Sequence, residues 1–420
     1  MEIIDRHARS VVQELLGVSP VVIIQGARQV GKSTLAHIVS STNGTPTEYF
    51  TLDDEDTRLM FERDTRAVFD THPDGLIIID EVQLMPELLR QIKADVDRNR
   101  RPGRFLLTGS ANVLRIKGEP DSLAGRVMSV HLRGLSQGEY LGVHDDFISA
   151  VTAGTVTATS VTTFRSELTR PDYVQQLIRG GFPGIDNLSP RLHRQWLSAY
   201  LDSVLQRDSA VLSGGSQTER VQSVARLIAA NQSGELVKDH LAENAGIPTS
   251  SIQVYIDALH SIYLVDSLRS FRPNLTRREI SRRKAYVDDS GLALRLAGVS
   301  EAALTDLRSN TIGGFFEAFI ASELSKQSLW SATDYNLFHY RNPSGAEVDI
   351  ICELDDGHII AFEIKAASTY KKEHFKGLEY LREKLGDTFL AGFVVTMADR
   401  GMSAGDRLAG IPANALWAQW

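Results

Sequence analysis

Cysteine is almost missing from this chain of 420 residues. Cys352 stands alone, which excludes an intrachain disulfide framework and a thiolate zinc cluster. The eleven histidines never fall into a His-x-x-x-His or comparable spacing, so the usual signature of a histidine metal centre is absent too. No stretch approaches the roughly eighteen apolar residues that a membrane-crossing helix requires, and no membrane partner is expected. Charges at Glu2, Asp5, Arg6 and Arg9 leave no apolar segment of a secretory signal, and the expected location is cytoplasmic. A surplus of positive charge is also lacking. The formal charge of −8 argues against a protein that coats nucleic acid generally, while leaving room for a local basic patch. Cys352 itself lies in the apolar run Val348–Cys352 and reads as a small core residue. Otherwise the composition is that of an ordinary globular protein, long enough for roughly two to four domains with cores of their own.

What the chain does contain is a glycine-bracketed octet, Gly26-Ala27-Arg28-Gln29-Val30-Gly31-Lys32-Ser33. It follows the apolar run Val21–Ile24 and precedes a helical pattern from Thr34 to Ser40. The spelling G-x-x-x-x-G-K-[ST] arises by accident in about one chain of this size in a hundred, given average glycine content. A buried strand, a tight loop and a helix N-terminus together aim backbone N–H groups at an anion. Gly26 to Thr34 are therefore the candidate nucleotide-binding residues, joined by Asp80. That aspartate ends a second apolar run, Leu76–Ile79, which reads as a strand buried on both faces. Asp80 and the Ser33 hydroxyl are placed to hold Mg²⁺, Lys32 to neutralise the β- and γ-phosphates of ATP, and Glu81 to polarise an attacking water. The alternative for Asp80-Glu81 is a helix cap with a charged first turn.

A third apolar run, Phe105–Leu107, ends in Thr108, Gly109, Ser110, Ala111 and Asn112. Thr108, Ser110 or Asn112 could bond the γ-phosphate or the lytic water; equally, Ser110 or Asn112 could cap the next helix. Arg126, in Leu123-Ala-Gly-Arg126, could stabilise transition-state charge in its own subunit or across an interface, or be a surface arginine. The catalytic candidates are thus Glu81, Lys32, Arg126 and Ser110. Strands at Val21–Ile24, Tyr49–Leu52, Leu76–Ile79, Phe105–Leu107 and Val127–Leu132 alternate with helices, so the fold class is α/β with a doubly wound parallel sheet.

Residues 150–163 are poor in large apolar groups and in charge and read as a loop or insert. Helical patterns resume from Pro171 to Leu212, broken by the sharp turn Gly180–Gly184. Beyond them, Val221–Asn231 and Glu235–Asn244 are helical in periodicity, and Thr249 would cap a helix over Ser250–Ile262. Two strands, Tyr263–Phe271 and Lys284–Val287, then flank a basic loop. Helix, turn, helix and ribbon make a winged helix-turn-helix pattern. Arg269, Arg272, Arg277, Arg278, Arg282, Arg283 and Lys284, against Asp266 and Glu279, form its basic wing. DNA or RNA is one expected partner of such a wing, and a protein client is the other.

In the last stretch, a helix over Gly314–Leu324 carries Glu317. Strands follow at Leu337–Arg341, Glu347–Glu353 and His358–Lys365, then a helix over Glu373–Leu385 and a strand at Leu390–Thr396. Asp349 followed by Glu363-Ile-Lys365 reproduces the restriction-endonuclease-like pattern D-x(n)-E-x-K. Glu363 and Lys365 are two apart on a strand and share a face. Asp349, Glu363 and Glu317 are candidate Mg²⁺ ligands, with Lys365 set to activate water or steady phosphate charge. The alternative is a strand whose charged side faces solvent.

With these residues assembled, the chain resembles a widespread bacterial and archaeal family. Its members join an AAA-type ATPase core to a C-terminal domain of unknown function with a winged helix and a nuclease-like end. The motifs at 26–33, 77–83, 106–112 and 123–126 carry the resemblance, with Gly-Gly-Phe-Pro (180–183), Val-Asp-Asp-Ser-Gly-Leu (287–292), Glu-Val-Asp (347–349) and Glu-Ile-Lys (363–365). The Arg28-Gln29 pair is also typical, whereas the Thr/Ala-rich stretch 150–163 departs from the pattern. The resemblance implies ATP binding and hydrolysis through Lys32, Ser33, Asp80 and Glu81. The expected domains are an AAA-type ATPase core at 1–145, an insert and helical lid at 146–215, a winged helix at 216–298 and a restriction-endonuclease-like α+β domain at 299–420. The expected function is a Mg²⁺-dependent ATP-driven conformational switch coupled to a nucleic-acid- or protein-binding module. Two alternatives stand beside it: a nucleotide-regulated metal-dependent nuclease and a non-catalytic DNA-binding regulator. Homo-oligomer formation is an analogy with other AAA proteins.

Overall fold

The computed structural model describes residues 3–42, 44–110, 123–208, 218–272, 281–342 and 345–420. Two compact units emerge, one of residues 1–135 with 261–263, the other of 136–260 with 264–420.

The first unit is built on five parallel strands in the order β2-β3-β4-β1-β5. These are β1 (Val21–Gln25), β2 (Thr47–Thr51), β3 (Leu76–Asp80), β4 (Phe105–Gly109) and β5 (Val127–His131). The three inner strands are buried at every position, as their unalternating Val, Ile and Leu runs require of a sheet covered on both faces. The edge strands β2 and β5 are partly exposed. Helices Lys32–Thr42, Glu55–Asp70 and Leu88–Arg98 return the chain between strands. Ile23, Ile77, Ile79, Phe105 and Leu107 pack with Phe61, Phe69, Leu89, Ile92 and Val96 in one apolar core. Asp54 caps the helix Glu55–Asp70 at the Thr57 N–H, and Asp64 kinks it. Parallel register aligns Gln25 with Gly109 and Thr51 with Asp80. The carboxyl ends of β1, β4 and β3 therefore lie side by side, the crevice where open α/β sheets bind ligands.

The second unit holds a nine-stranded mixed sheet, ordered β13-β14-β12-β11-β10-β9-β7-β8-β6. Its strands are β6 (Gly234–Glu235), β7 (Val265–Ser270), β8 (Lys284–Val287), β9 (Tyr335–Arg341), β10 (Glu347–Leu354), β11 (Ile359–Ile364), β12 (Phe389–Thr396), β13 (Met402–Ser403) and β14 (Leu408–Pro412). Helix Ile312–Gln327 is buried along most of its length, since its small and apolar residues leave no polar face. Asp289 caps the helix Ser290–Ala297 at Leu292 N–H and accepts a second bond from Gly181 N–H at 2.7 Å. A Cβ at Gly180 (φ +70°) would stand 2.7 Å from the Asp289 carboxylate, so two separate sequence motifs are halves of one packed corner. Among the described residues no helix is long and apolar enough to cross a membrane.

Several elements differ from expectation. The stretch 150–163 overlaps a helix, Phe147–Thr152, and ends in a helical turn, Ser160–Thr163; buried Val151, Val156 and Val161 anchor it despite the lack of large apolar residues. Glu235 pairs with Lys284 as a strand, and the helix begins only at Lys238. Thr249 opens a single turn, Thr249–Ser251, without a side-chain cap, and the helix proper runs Ile252–Ser261. The β7–β8 ribbon is not isolated, because β7 also pairs in parallel with β9.

Candidate functional site

The turn after β1 can be made only by glycine at its start. Gly26 has φ +157°, and a Cβ there would lie 2.1 Å from the Leu132 carbonyl oxygen. Gly31 has φ +98°, and Gln29, exposed at the tip, adopts φ +63°. Arg6 steadies the loop from outside the motif, donating to Val30 O at 2.7 Å and Arg133 O at 2.8 Å. The Lys32 side chain is buried and folds over the loop, donating to Gly26 O (3.1 Å) and Ala27 O (2.8 Å). Ser33 stands at the start of the helix, and its hydroxyl donates to both Asp80 oxygens at 2.9 Å. Thr34, one residue on, is exposed.

Because β4 lies between β1 and β3, its carboxyl end joins the two motifs. Thr108 Oγ1 donates to Asp80 and accepts from the Glu81 N–H at 3.0 Å. Glu81 is in the left-handed region (φ +59°), a costly conformation for a glutamate that turns its side chain out of the strand direction. Its carboxylate accepts from Ser110 Oγ at 3.2 Å and from Gln83 Nε2, which also donates to Ser110 Oγ at 3.0 Å. Tyr49, on the neighbouring strand β2, stacks on His37 with centroids 3.9 Å apart. Burial and the Asp80 charge push its phenol well up, so it remains neutral.

Lys32, Ser33, Asp80, Glu81, Thr108 and Ser110 are thus brought together. Arg126 is not. Its carbonyl accepts from Val21 N–H at the amino end of β1, a strand length of about 15 Å from the loop. Its guanidinium pairs with Asp97 at 2.5 Å, so Arg126 does not serve the phosphates of its own subunit. Asn112, Arg277, Arg278 and Glu279 lie outside the described residues. Sequence reasoning missed Tyr49, Gln83 and Arg6. Gln83 alone left a trace, two residues beyond Glu81.

The chemistry fits a magnesium-bearing nucleoside triphosphate: a hydroxyl and a carboxylate 2.9 Å apart, a lysine over the loop and a glycine cradle that any side chain would fill. The Lys32 ammonium stands in this structure on carbonyls whose place a phosphate oxygen can take.

A second cluster lies in the other unit. Helix Ile312–Gln327 brings Glu317, β10 brings Glu347 and Asp349, and β11 brings Glu363, followed by Lys365. Lys365 Nζ lies 2.6 Å from Glu363 and 3.7 Å from Asp349. Lys284, expected on the exposed wing, is instead buried here, 2.8 Å from Glu317, 3.0 Å from Glu347 and 3.4 Å from Asp349. Its side chain lies on the face of the sheet that the helix Ile312–Gln327 covers, where Glu317 meets it, and so does not face solvent. Burial works against the ammonium, but Glu317, Asp349 and Glu347 outweigh it and hold Lys284 charged, its pKa above the ordinary lysine value. Burial and the Asp349 charge push Glu317 up to about 8 and Glu363 up to about 7. Among the described residues no three His, Cys, Asp or Glu side chains are grouped to hold a metal ion.

Residues 18–141 match the model of an AAA domain. Residues 170–303 and 312–416 match two domains of unknown function, DUF8612 and DUF4143. Uncharacterised proteins of Mycobacterium tuberculosis and Mycobacterium bovis are each 29% identical over 370 residues, which is 87% of this chain and 74% of theirs. Among solved structures, a Walker-type ATPase of Pyrococcus abyssi is 15% identical with a TM-score of 0.44, over 70% of this chain and 96% of that one. The RuvB Holliday junction branch migration motor of Thermotoga maritima is 19% identical with a TM-score of 0.28, over 61% and 86%. Over residues 18–141 the first unit is accordingly similar to AAA domains.

Proposed function

We propose that this chain is a Mg²⁺-dependent ATPase working as a conformational switch, with its C-terminal half as the nucleic-acid- or protein-binding module that the switch controls. The Ser33–Asp80 contact beside Lys32 is the observation that carries the proposal. Ser33 and Asp80 would hold the metal, which when bound neutralises charge on the transferred phosphoryl group. Lys32 would leave the Gly26 and Ala27 carbonyls for the β- and γ-phosphates. Glu81, held by Gln83 and Ser110, would accept the proton of the attacking water, and Thr108 would keep Asp80 in line. Glu81 carries the αL strain of a residue whose aim matters more than its comfort. Arg126 would act only across a subunit interface. The domains proposed are the core at 1–145, the insert and lid at 146–215, the winged helix at 216–298 and the nuclease-like fold at 299–420. The helices Lys238–Ala245 and Ile252–Ser261 before the β7–β8 hairpin support the third, and the β9–β12 strands with their flanking helices support the fourth.

The test is phosphate release with Mg²⁺, together with calorimetric titration of ATP. Lys32→Ala is expected to abolish both binding and turnover. Glu81→Gln is expected to keep ATP binding while turnover falls by about 10²–10⁴-fold, the usual worth of a general base. Wild-type protein with no affinity for ATP, or Lys32→Ala with undiminished turnover, would end the proposal.

A further inference from the structure

The carboxylate cluster of the second unit has the residue types of a metal-dependent nuclease but holds its cation covalently. An ammonium group has three N–H donors and no acceptor. Lys284 Nζ has three carboxylates around it, Glu317, Glu347 and Asp349, at 2.8, 3.0 and 3.4 Å. Asp349 has little capacity left: its other oxygen accepts the Ile364 N–H at 2.8 Å and faces Lys365 at 3.7 Å. Glu363 is bound through Oε1 to Lys365, and its buried Oε2 has no hydrogen-bond partner. Two lysines thus supply the charge of one divalent ion. Mg²⁺ would need oxygens at about 2.0–2.1 Å in an octahedral shell, in a space where a buried ammonium already sits. Backbone pairing with Leu268 of β7 and Glu235 of β6 fixes where the Lys284 side chain starts, and burial with three carboxylate contacts holds its ammonium at the cluster. The donor set as arranged fits an ammonium and does not fit a divalent metal.

We propose that Lys284 is the built-in cation of this cluster, standing in the metal position of a nuclease-like centre, so that the second unit takes up no divalent ion there. The cluster is then a brace, tying β8 to β10, β11 and helix Ile312–Gln327. Its upkeep depends on the lysine, since breaking a buried ion pair by removing one partner leaves charge without compensation.

Mn²⁺ titration of the full chain without nucleotide tests this, with free Mn²⁺ followed by electron paramagnetic resonance and stability by thermal melting. Leaving out nucleotide makes the outcome independent of whether the chain binds ATP. Wild type, Asp349→Asn and Glu363→Gln are expected to bind Mn²⁺ alike, none showing a site that depends on these carboxylates. Lys284→Met is expected to gain one ion per chain, at least tenfold tighter than any wild-type binding, and to melt higher when Mn²⁺ is added. The double variant Lys284→Met/Asp349→Asn should lose that gain. A wild-type site that disappears in Asp349→Asn or Glu363→Gln overturns the proposal, and so does a folded Lys284→Met that gains nothing. Should Lys284→Met fail to fold, the wild-type comparison decides alone: equal binding upholds the proposal and a carboxylate-dependent ion sinks it.

Discussion

The Asp80 carboxylate accepts from the hydroxyls of Ser33 and Thr108, and its charge acts on the Tyr49 phenol, each group from a different element. Ser33 is the one a bound metal would engage, which leaves Thr108 and Tyr49 to hold the carboxylate in place. Groups in that position orient a ligand without touching the ion. Tyr49→Phe removes the phenol hydroxyl on which the Asp80 charge acts and keeps the ring on His37. A net worth of about 0.5–1.5 kcal/mol for such an interaction corresponds to roughly two- to tenfold in an equilibrium constant. The Mg²⁺ concentration for half-maximal turnover is therefore expected to rise by that factor, with maximal turnover less affected. An unchanged Mg²⁺ dependence would show that Tyr49 does not orient Asp80. The visibility of these residues in the sequence follows from how local their work is. Gly26, Gly31, Lys32 and Ser33 act within eight residues, so their spacing alone announces them. Thr108 was legible as a site residue but not as a partner of Asp80, and Tyr49 not at all, because both act on Asp80 only through the flanking of β3 by β2 and β4, and strand order is not written in any short segment.

Among the strands, β9 carries the clearest pH-sensitive group. His339 is buried, its Nε2 lies 3.0 Å from the Arg282 carbonyl, and its Nδ1 has no hydrogen-bond partner. Burial lowers its pKa, and the nearby Lys284 charge works in the same direction. The unfolded chain takes up a proton near the ordinary value of about 6.5, while the folded strand refuses it until lower pH. The stability tied to neutral His339 is therefore fully present above about pH 6.5 and is lost as pH falls through the folded value. His339→Gln keeps a donor for the Arg282 carbonyl and removes the titration. The fall in Tm between pH 7.5 and 5.5 should be smaller in the variant than in the wild type; an equal fall would exonerate His339. Element by element, the long apolar runs of β1, β3 and β4 were legible because burial on both faces leaves no other pattern. The strand β14, Leu-Ala-Gly-Ile-Pro, was not, since alanine, glycine and proline argue against a strand that is nevertheless buried throughout. Two-residue β6 has no pattern to read. Lys284 was misread because a lysine beside Arg282 and Arg283 looks like wing, and the carboxylates that bury it, on Glu317, Glu347 and Asp349, lie far along the chain.

For the molecule as a whole, charge decides what kind of nucleic-acid binding is open to it. A net charge of −8 supplies no general attraction, so any contact must come from a local cluster. Among the described residues the cluster read from the sequence is thinner. Lys284 is spent on carboxylates, and Arg269 and Arg272 lie over the rings of Phe338 and Tyr340 at 5.4 and 6.0 Å. Arg282 and Arg283 remain exposed, beside a cleft that also takes in Lys238, Gln253 and His260. Each phosphate neutralised on duplex DNA contributes about 0.9 to the slope of log K against log salt. If the wing binds duplex DNA through these two arginines, the double variant Arg282→Ala/Arg283→Ala should reduce the magnitude of that slope by about 1.8 between 50 and 200 mM salt. ATP turnover measured with and without the same DNA would show whether this contact is the load that the nucleotide site drives. An unaltered slope would remove the wing as a phosphate-binding surface and leave a protein client as the partner of the second unit. That outcome would suit an acidic chain in which Lys284, Arg269 and Arg272 of the wing are engaged by its own carboxylates and aromatic rings.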